Sequence, residues 1–208
     1  MNVSSTPATP ENQEQGLVLV VSAPSGAGKT TVVDALLAER IDLGRAVTHT
    51  TRAPRPGERD GIDYHFVSAD EFTCQDAQGA FLEQAEIYGN RYGTSRREVE
   101  SCLAAGEDVV LVIDWQGARS VREKLAGNAM IRLFTVFVMP PSLDVLEQRL
   151  SDRNTESPEQ LQRRLGMARE EMAHASEYDA RVVNDRLDDC VEQISLWMDQ
   201  IKEEISRR

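Results

Sequence analysis

The eight residues Ala23 to Thr30, APSGAGKT, set two glycines, a lysine and a threonine at a spacing suited to gripping an anion. Glycines let successive backbone N–H groups turn toward one point, and a helix beginning there adds its positive end. Ala23, Pro24, Ser25, Gly26, Ala27 and Gly28 would form the loop, with Thr31 just beyond it. Lys29 would bring a mobile ammonium to the β and γ groups of a polyphosphate, and the Thr30 hydroxyl suits Mg2+. Ala23 stands where the general pattern has glycine. An ordinary glycine-rich turn shares this composition, but the flanks argue for the chemical reading: Leu17 to Val21 is an apolar, β-branched run, and Val32, Val33, Leu36 and Leu37 recur at helical spacing.

A second set of candidates lies in Thr50 to Tyr64, TTRAPRPGERDGIDY, a turn-dense stretch with three arginines. Arg52 and Arg55 flank Pro54, so a rigid turn holds their guanidiniums. Two planar forks can seat a dianionic monophosphate, and Tyr64 and Tyr92 can each donate a hydroxyl to the same group. The structural alternative is a solvated basic turn. Glu83, in FLEQAE, has apolar flanks where a carboxylate is less expected than at Glu86. Arg149, Arg153 and Arg164 bracket the polar loop after Ser151 and read more convincingly as a set than singly. The three histidines, His49, His65 and His174, read as packing or surface residues.

Composition narrows the partners. The chain has 208 residues and a formal net charge of −12, which argues against nucleic acid or an anionic membrane as main partner. A nucleotide carried with Mg2+ has much of its charge masked, so the local field of clustered arginines matters more than the total. No apolar run approaches the roughly 20 residues of a membrane span, and no basic-then-apolar leader is visible, so a cytoplasmic location is expected. Cys74, Cys102 and Cys190 lack a metal-type spacing and read as reduced thiols.

The elements that must position these residues follow from periodicity. Residues 1 to 16 are polar and read as a disordered tail. A helix to about Arg40 and a short strand over Arg45 to His49 are expected, then an inserted lobe over residues 50–95 with a helix around Ala69 to Gln78. Ser95 and Glu98 suggest a capping box, and Gly106 ends that helix. Asp108 to Asp114, DVVLVID, reads as a central strand whose end faces a ligand crevice. Helices over Trp115–Leu125, from Ser142, from Ser157 and over the C-terminus alternate with strands at Ile131–Met139 and Arg181–Asn184. The pattern predicts an α/β fold with a doubly wound, mainly parallel sheet.

At THTTRAPRPGE, DYHF, FLEQAEIYGNRYGTS, VIDWQG and VVND the chain resembles the guanylate kinase family, over Leu17 to about Ile205. The resemblance implies a P-loop core (17–49, 96–150, 166–208), a GMP-binding lobe (50–95) and a short lid (151–165) that close together to keep water from the phosphoryl group. It implies ATP and GMP as partners and Mg2+ with the ATP. Matching positions put Arg52, Arg55, Tyr64 and Tyr92 on the GMP phosphate, and Glu83, Thr48 and Asp114 on the guanine, with Thr94 nearby. Guanine offers adjacent N1–H and N2–H donors that one carboxylate can accept, whereas adenine turns a lone pair toward it. Arg149, Arg153 and Arg164 would meet the ATP phosphates, and Asn184 the adenine side. One position departs: where the family often reads LDIDxQG, this chain has Val112 in place of the first carboxylate, which bears on how metal is held. Two other readings compete, a kinase of another small phosphate such as a sugar phosphate and a guanylate-kinase-like binding module without catalysis. The oligomeric state is not legible.

Overall fold

A computed structural model describes residues 15–87, 89–151 and 158–207. Along the chain run β1 (Gly16–Ser22), α1 (Lys29–Glu39), β2 (Leu43–Arg45), β3 (Thr48–Thr50), β4 (His65–Phe66), α2 (Ala69–Ala77), β5 (Phe81–Ile87), β6 (Asn90–Ser95) and α3 (Arg96–Ala104). They are followed by β7 (Asp108–Val112), α4 (Trp115–Leu125), β8 (Ile131–Met139), α5 (Leu143–Ser151), α6 (Pro158–Ala173), β9 (Ala180–Val183) and α7 (Leu187–Ser206).

The main sheet has the order β2-β7-β1-β8-β9, and every neighbouring pair is parallel. β1 is central, and its alternation explains why a continuous apolar run is needed there. Leu17, Leu19 and Val21 face one core with Val32, Val33 and Leu36 of α1 and Ile194 and Met198 of α7. Val18 and Val20 face the other, with Val99 of α3 and Ala118 and Val121 of α4. Helices on both faces leave no solvated side, so both residue parities must be apolar. A third cluster joins Leu146 and Leu150 of α5 to Leu165 and Ala168 of α6.

Residues 48–95 build a separate four-stranded sheet, β4-β3-β6-β5. The strand expected over Arg45 to His49 is divided: Arg45 ends β2 in the main sheet, while Thr48 and His49 open β3 in the second. Between them the Ala46 N–H still reaches Val110 of β7, and the Val47 N–H is taken by the Glu98 side chain at 2.7 Å. That use of Glu98 also corrects the expected capping box. Ser95 does accept the Glu98 N–H, at 3.4 Å, but the Glu98 carboxylate serves Val47 and His65 instead of returning to the cap. The reciprocal box occurs at α2, between Ser68 and Glu71. His65 is half-buried in this corner, its Nε2 meeting Glu98 Oε1 at 2.7 Å while its ring lies 4.5 Å from that of His49.

The segment expected as a lid, 151–165, is partly helix: α6 starts at Pro158 and runs unbroken to Ala173 because Leu161, Leu165 and Ala168 share one face against α5. Arg153, Ser157 and residues 1–14 of the expected tail lie outside the described residues, and Gly16 already belongs to β1. Among the described residues no helix is long and apolar enough to cross a membrane.

Candidate active site

The carboxyl ends of β1, β7 and β9 open on one crevice, where ligands bind in open parallel sheets. β1 feeds the loop from Ala23 to Gly28. Its Ala27 N–H closes onto the Pro24 carbonyl at 3.1 Å, and the Val32 N–H starts the helical ladder on Gly28 at 3.0 Å. Gly28 sits at φ +91°, and a Cβ there would lie 2.5 Å from Asn184 Nδ2, so geometry and space both require glycine. Asn184 is buried at the end of β9. Its Nδ2 donates to the Ala27 carbonyl at 2.8 Å, and its own carbonyl accepts from Arg149 Nη2 at 3.1 Å. The side chain expected on the adenine side thus anchors the loop itself. A shallow cleft beside it is lined by Gly26, Gly28, Thr31, Arg149 and Asn184.

Lys29, the first residue of α1, reaches back under the loop and donates to the Ile113 carbonyl at 3.4 Å. Burial lowers its pKa, and the nearby carboxylates of Glu171 and Asp114 oppose that shift. Glu171, on α6, was not among the sequence candidates, yet its Oε2 accepts the Ser25 N–H at 3.1 Å.

Lys29 and Thr30 share a cleft of about 150 Å³ with Thr48, Tyr64, Glu83, Tyr92, Val112 and Asp114. Two elements separated in sequence form its far wall. Glu83 on β5 is 2% exposed and accepts the Thr94 hydroxyl at 2.5 Å from neighbouring β6. Burial pushes its pKa up to about 7, with Asp114 adding to the effect. Asp114 caps α4 by accepting the Gly117 N–H at 2.8 Å. Gly117 matters for a second reason, because a Cβ there would lie 2.7 Å from Glu83 Oε2. The helix start can therefore close on the carboxylate only without a side chain.

The basic turn is organised by a residue that charge counting passes over. Glu58 accepts Arg52 Nη2 at 2.9 Å with one oxygen and the Arg55 N–H at 2.7 Å with the other. Arg52 Nη1 also donates to the Ala53 carbonyl at 2.6 Å, and its guanidinium lies 5.3 Å from the centre of the Tyr64 ring. Tyr64 and Tyr92 meet edge to face at 6.0 Å, so Arg52 and both tyrosines form one rigid corner of the lobe. Arg55 is exposed at the turn, Arg164 is half-buried on α6, and Arg153 is outside the described residues. Among the described residues no group of three His, Cys, Asp or Glu side chains could hold a metal ion.

A guanylate kinase family model matches residues 15–201. A guanylate kinase of Alkalilimnicola ehrlichii is 51% identical over 83% of either chain. That of Thiobacillus denitrificans is 45% identical over 97% of this chain and 92% of its own length. The crystal structure of a guanylate kinase from Anaplasma phagocytophilum superposes with a TM-score of 0.74 at 33% identity, covering 91% of this chain and 87% of that one. With a parallel sheet, a phosphate loop and a buried carboxylate across one cleft, the chain belongs to the guanylate kinase family.

Proposed function

We infer how the phosphorylation of GMP by ATP, the reaction this chain catalyses as a member of its family, is divided among its residues. One observation carries the reading: Lys29 and Thr30 line the same cleft as Glu83, Asp114, Tyr64 and Tyr92, so a donor half and an acceptor half face one space. Residues 23–31, with Asn184 as anchor and Arg149 beside it, take the ATP phosphates. Residues 50–95 form the GMP lobe, where Arg52 and Arg55 pair with the phosphate and Tyr64 and Tyr92 donate hydroxyls to it. Glu83 accepts guanine N1–H and N2–H, held in place by Thr94, with Thr48 and Asp114 completing the base pocket.

The acceptor is a phosphate oxygen, largely deprotonated at neutral pH because the second phosphate pKa is about 6. Transfer therefore needs no general base, in keeping with the roles left to the three histidines. What remains is alignment of two anionic groups and neutralisation of their charge, supplied by Lys29 and by Arg149, Arg153 and Arg164 as a set. Thr30 is exposed in the first turn of α1, where its hydroxyl fits an Mg2+ ion carried in on the phosphates. An ion held there would supply charge neutralisation for the transferring phosphate. Val112 offers it no oxygen, and Asp114 already spends one on the helix cap.

A coupled assay offering GMP, AMP, CMP, UMP and no acceptor tests base choice; turnover with GMP alone is expected, and equal turnover with AMP would reject the role of Glu83. Lys29→Met should lower kcat by about 1,000-fold, the scale of one lost charge-stabilising donor, with GMP binding within about twofold of wild type. Near-normal turnover of that variant would reject the donor half.

A further inference from the structure

The phosphate loop is held from two sides. Asn184 fixes its Ala27 carbonyl, and Glu171 takes its Ser25 N–H across 146 residues of chain. We propose that Glu171 is a positioning residue for phosphoryl transfer, setting the first turn of the loop and steering the Lys29 ammonium into the cleft. The inference rests on the reading that this loop holds the ATP phosphates.

Three observations support it. A half-buried carboxylate is costly unless its charge is compensated, and the groups compensating Glu171 are those of the loop, Lys29 and the Ser25 N–H. Conversely, the Glu171 carboxylate, with that of Asp114, counters the effect of burial on Lys29, whose Nζ donates to the Ile113 carbonyl at a long 3.4 Å. Without Glu171 the flexible lysine stem is left to the Ile113 carbonyl and Asp114, and its ammonium is drawn less toward the loop. Finally, Glu171 lies seven residues after Arg164 on the continuous helix α6, which places the two on one face. One rigid element thereby sets the loop, the lysine and an arginine of the proposed phosphate site in a common frame.

Glu171→Gln separates these roles, because the amide oxygen still accepts the Ser25 N–H while the charge on Lys29 is lost. On the full chain, with ATP and GMP titrated separately, the expected result is a kcat lowered about tenfold, the scale of a modest misplacement of reacting groups, with the GMP KM unchanged. Glu171→Ala, which also frees Ser25, should in addition raise the ATP KM by about tenfold. A Glu171→Gln enzyme whose kcat stays within about twofold of wild type would overturn the proposal. A rise in both KM values together with a lower thermal midpoint would overturn it too, since that is what a scaffold residue produces. Lys29→Met measured alongside keeps the two levels apart: an inactive Lys29 variant beside unaltered Glu171 variants rejects Glu171 alone, and an active one rejects the reading of the loop.

Discussion

Glu83→Gln should make the protein more stable and a worse enzyme, and the size of both effects follows from burial. Glu83 is 2% exposed, with Thr94 donating to one oxygen. Burial raises its pKa from the ordinary 4.5 to about 7. A carboxyl ionising near 4.5 unfolded and near 7 folded costs nothing below 4.5. It costs progressively more as pH climbs between the two values, and the full amount above about 7. At about 1.4 kcal/mol per pH unit the full cost is about 3 kcal/mol, a sizeable share of a domain's net stability. Gln at this position can still accept from Thr94 and carries no charge to bury. Urea unfolding of wild type and variant at pH 5.5 and 8.5 should show the variant ahead at both, with its advantage growing by about 2 kcal/mol across the interval. Steady-state kinetics should show the GMP KM raised about 100-fold or more, because two charge-assisted hydrogen bonds to guanine are lost. In the wild type the GMP KM should rise as pH falls below 7, since a protonated carboxyl cannot accept both donors. A variant less stable than wild type at pH 8.5, or a stability difference that ignores pH, would refute the reasoning.

Gly117→Ala tests the space that the carboxylate occupies: with a Cβ arriving 2.7 Å from Glu83 Oε2 and 3.2 Å from Ile113 Cβ, the GMP KM should rise by about tenfold while the ATP KM holds, read by separate substrate titrations. Val112→Asp puts a carboxylate at a position lining the cleft beside Lys29 and Thr30. It should lower the Mg2+ concentration that half-saturates ATP binding, and an unchanged Mg2+ titration would count against that placement.

The elements that a single stretch of chain can specify are legible in the sequence. Leu17 to Val21 is apolar at both parities because the strand is covered on both faces, and APSGAGKT is contiguous because backbone N–H groups from successive residues must converge on one anion. Helix α4 and strand β8 fall on the residues that periodicity marked, since their periodic faces are set by local spacing. Partnerships between distant segments were not legible. Nothing near Glu171 in sequence distinguishes it from Glu170, and only the docking of α6 brings its carboxylate to Ser25. Glu58 looks like any turn glutamate until the turn closes and both its oxygens are used. The division of Arg45 to Thr50 between two sheets depends on Val110 pairing one part and Thr94 the other. Glu98 gives up its capping role because Val47 and His65 arrive beside it. Sequence by itself determined the strand, loop and helix around APSGAGKT, since that unit is built from neighbouring residues. Only the tertiary structure decided which charges surround Lys29 and Glu83, because burial and Coulomb interaction depend on distance in space and not on separation along the chain.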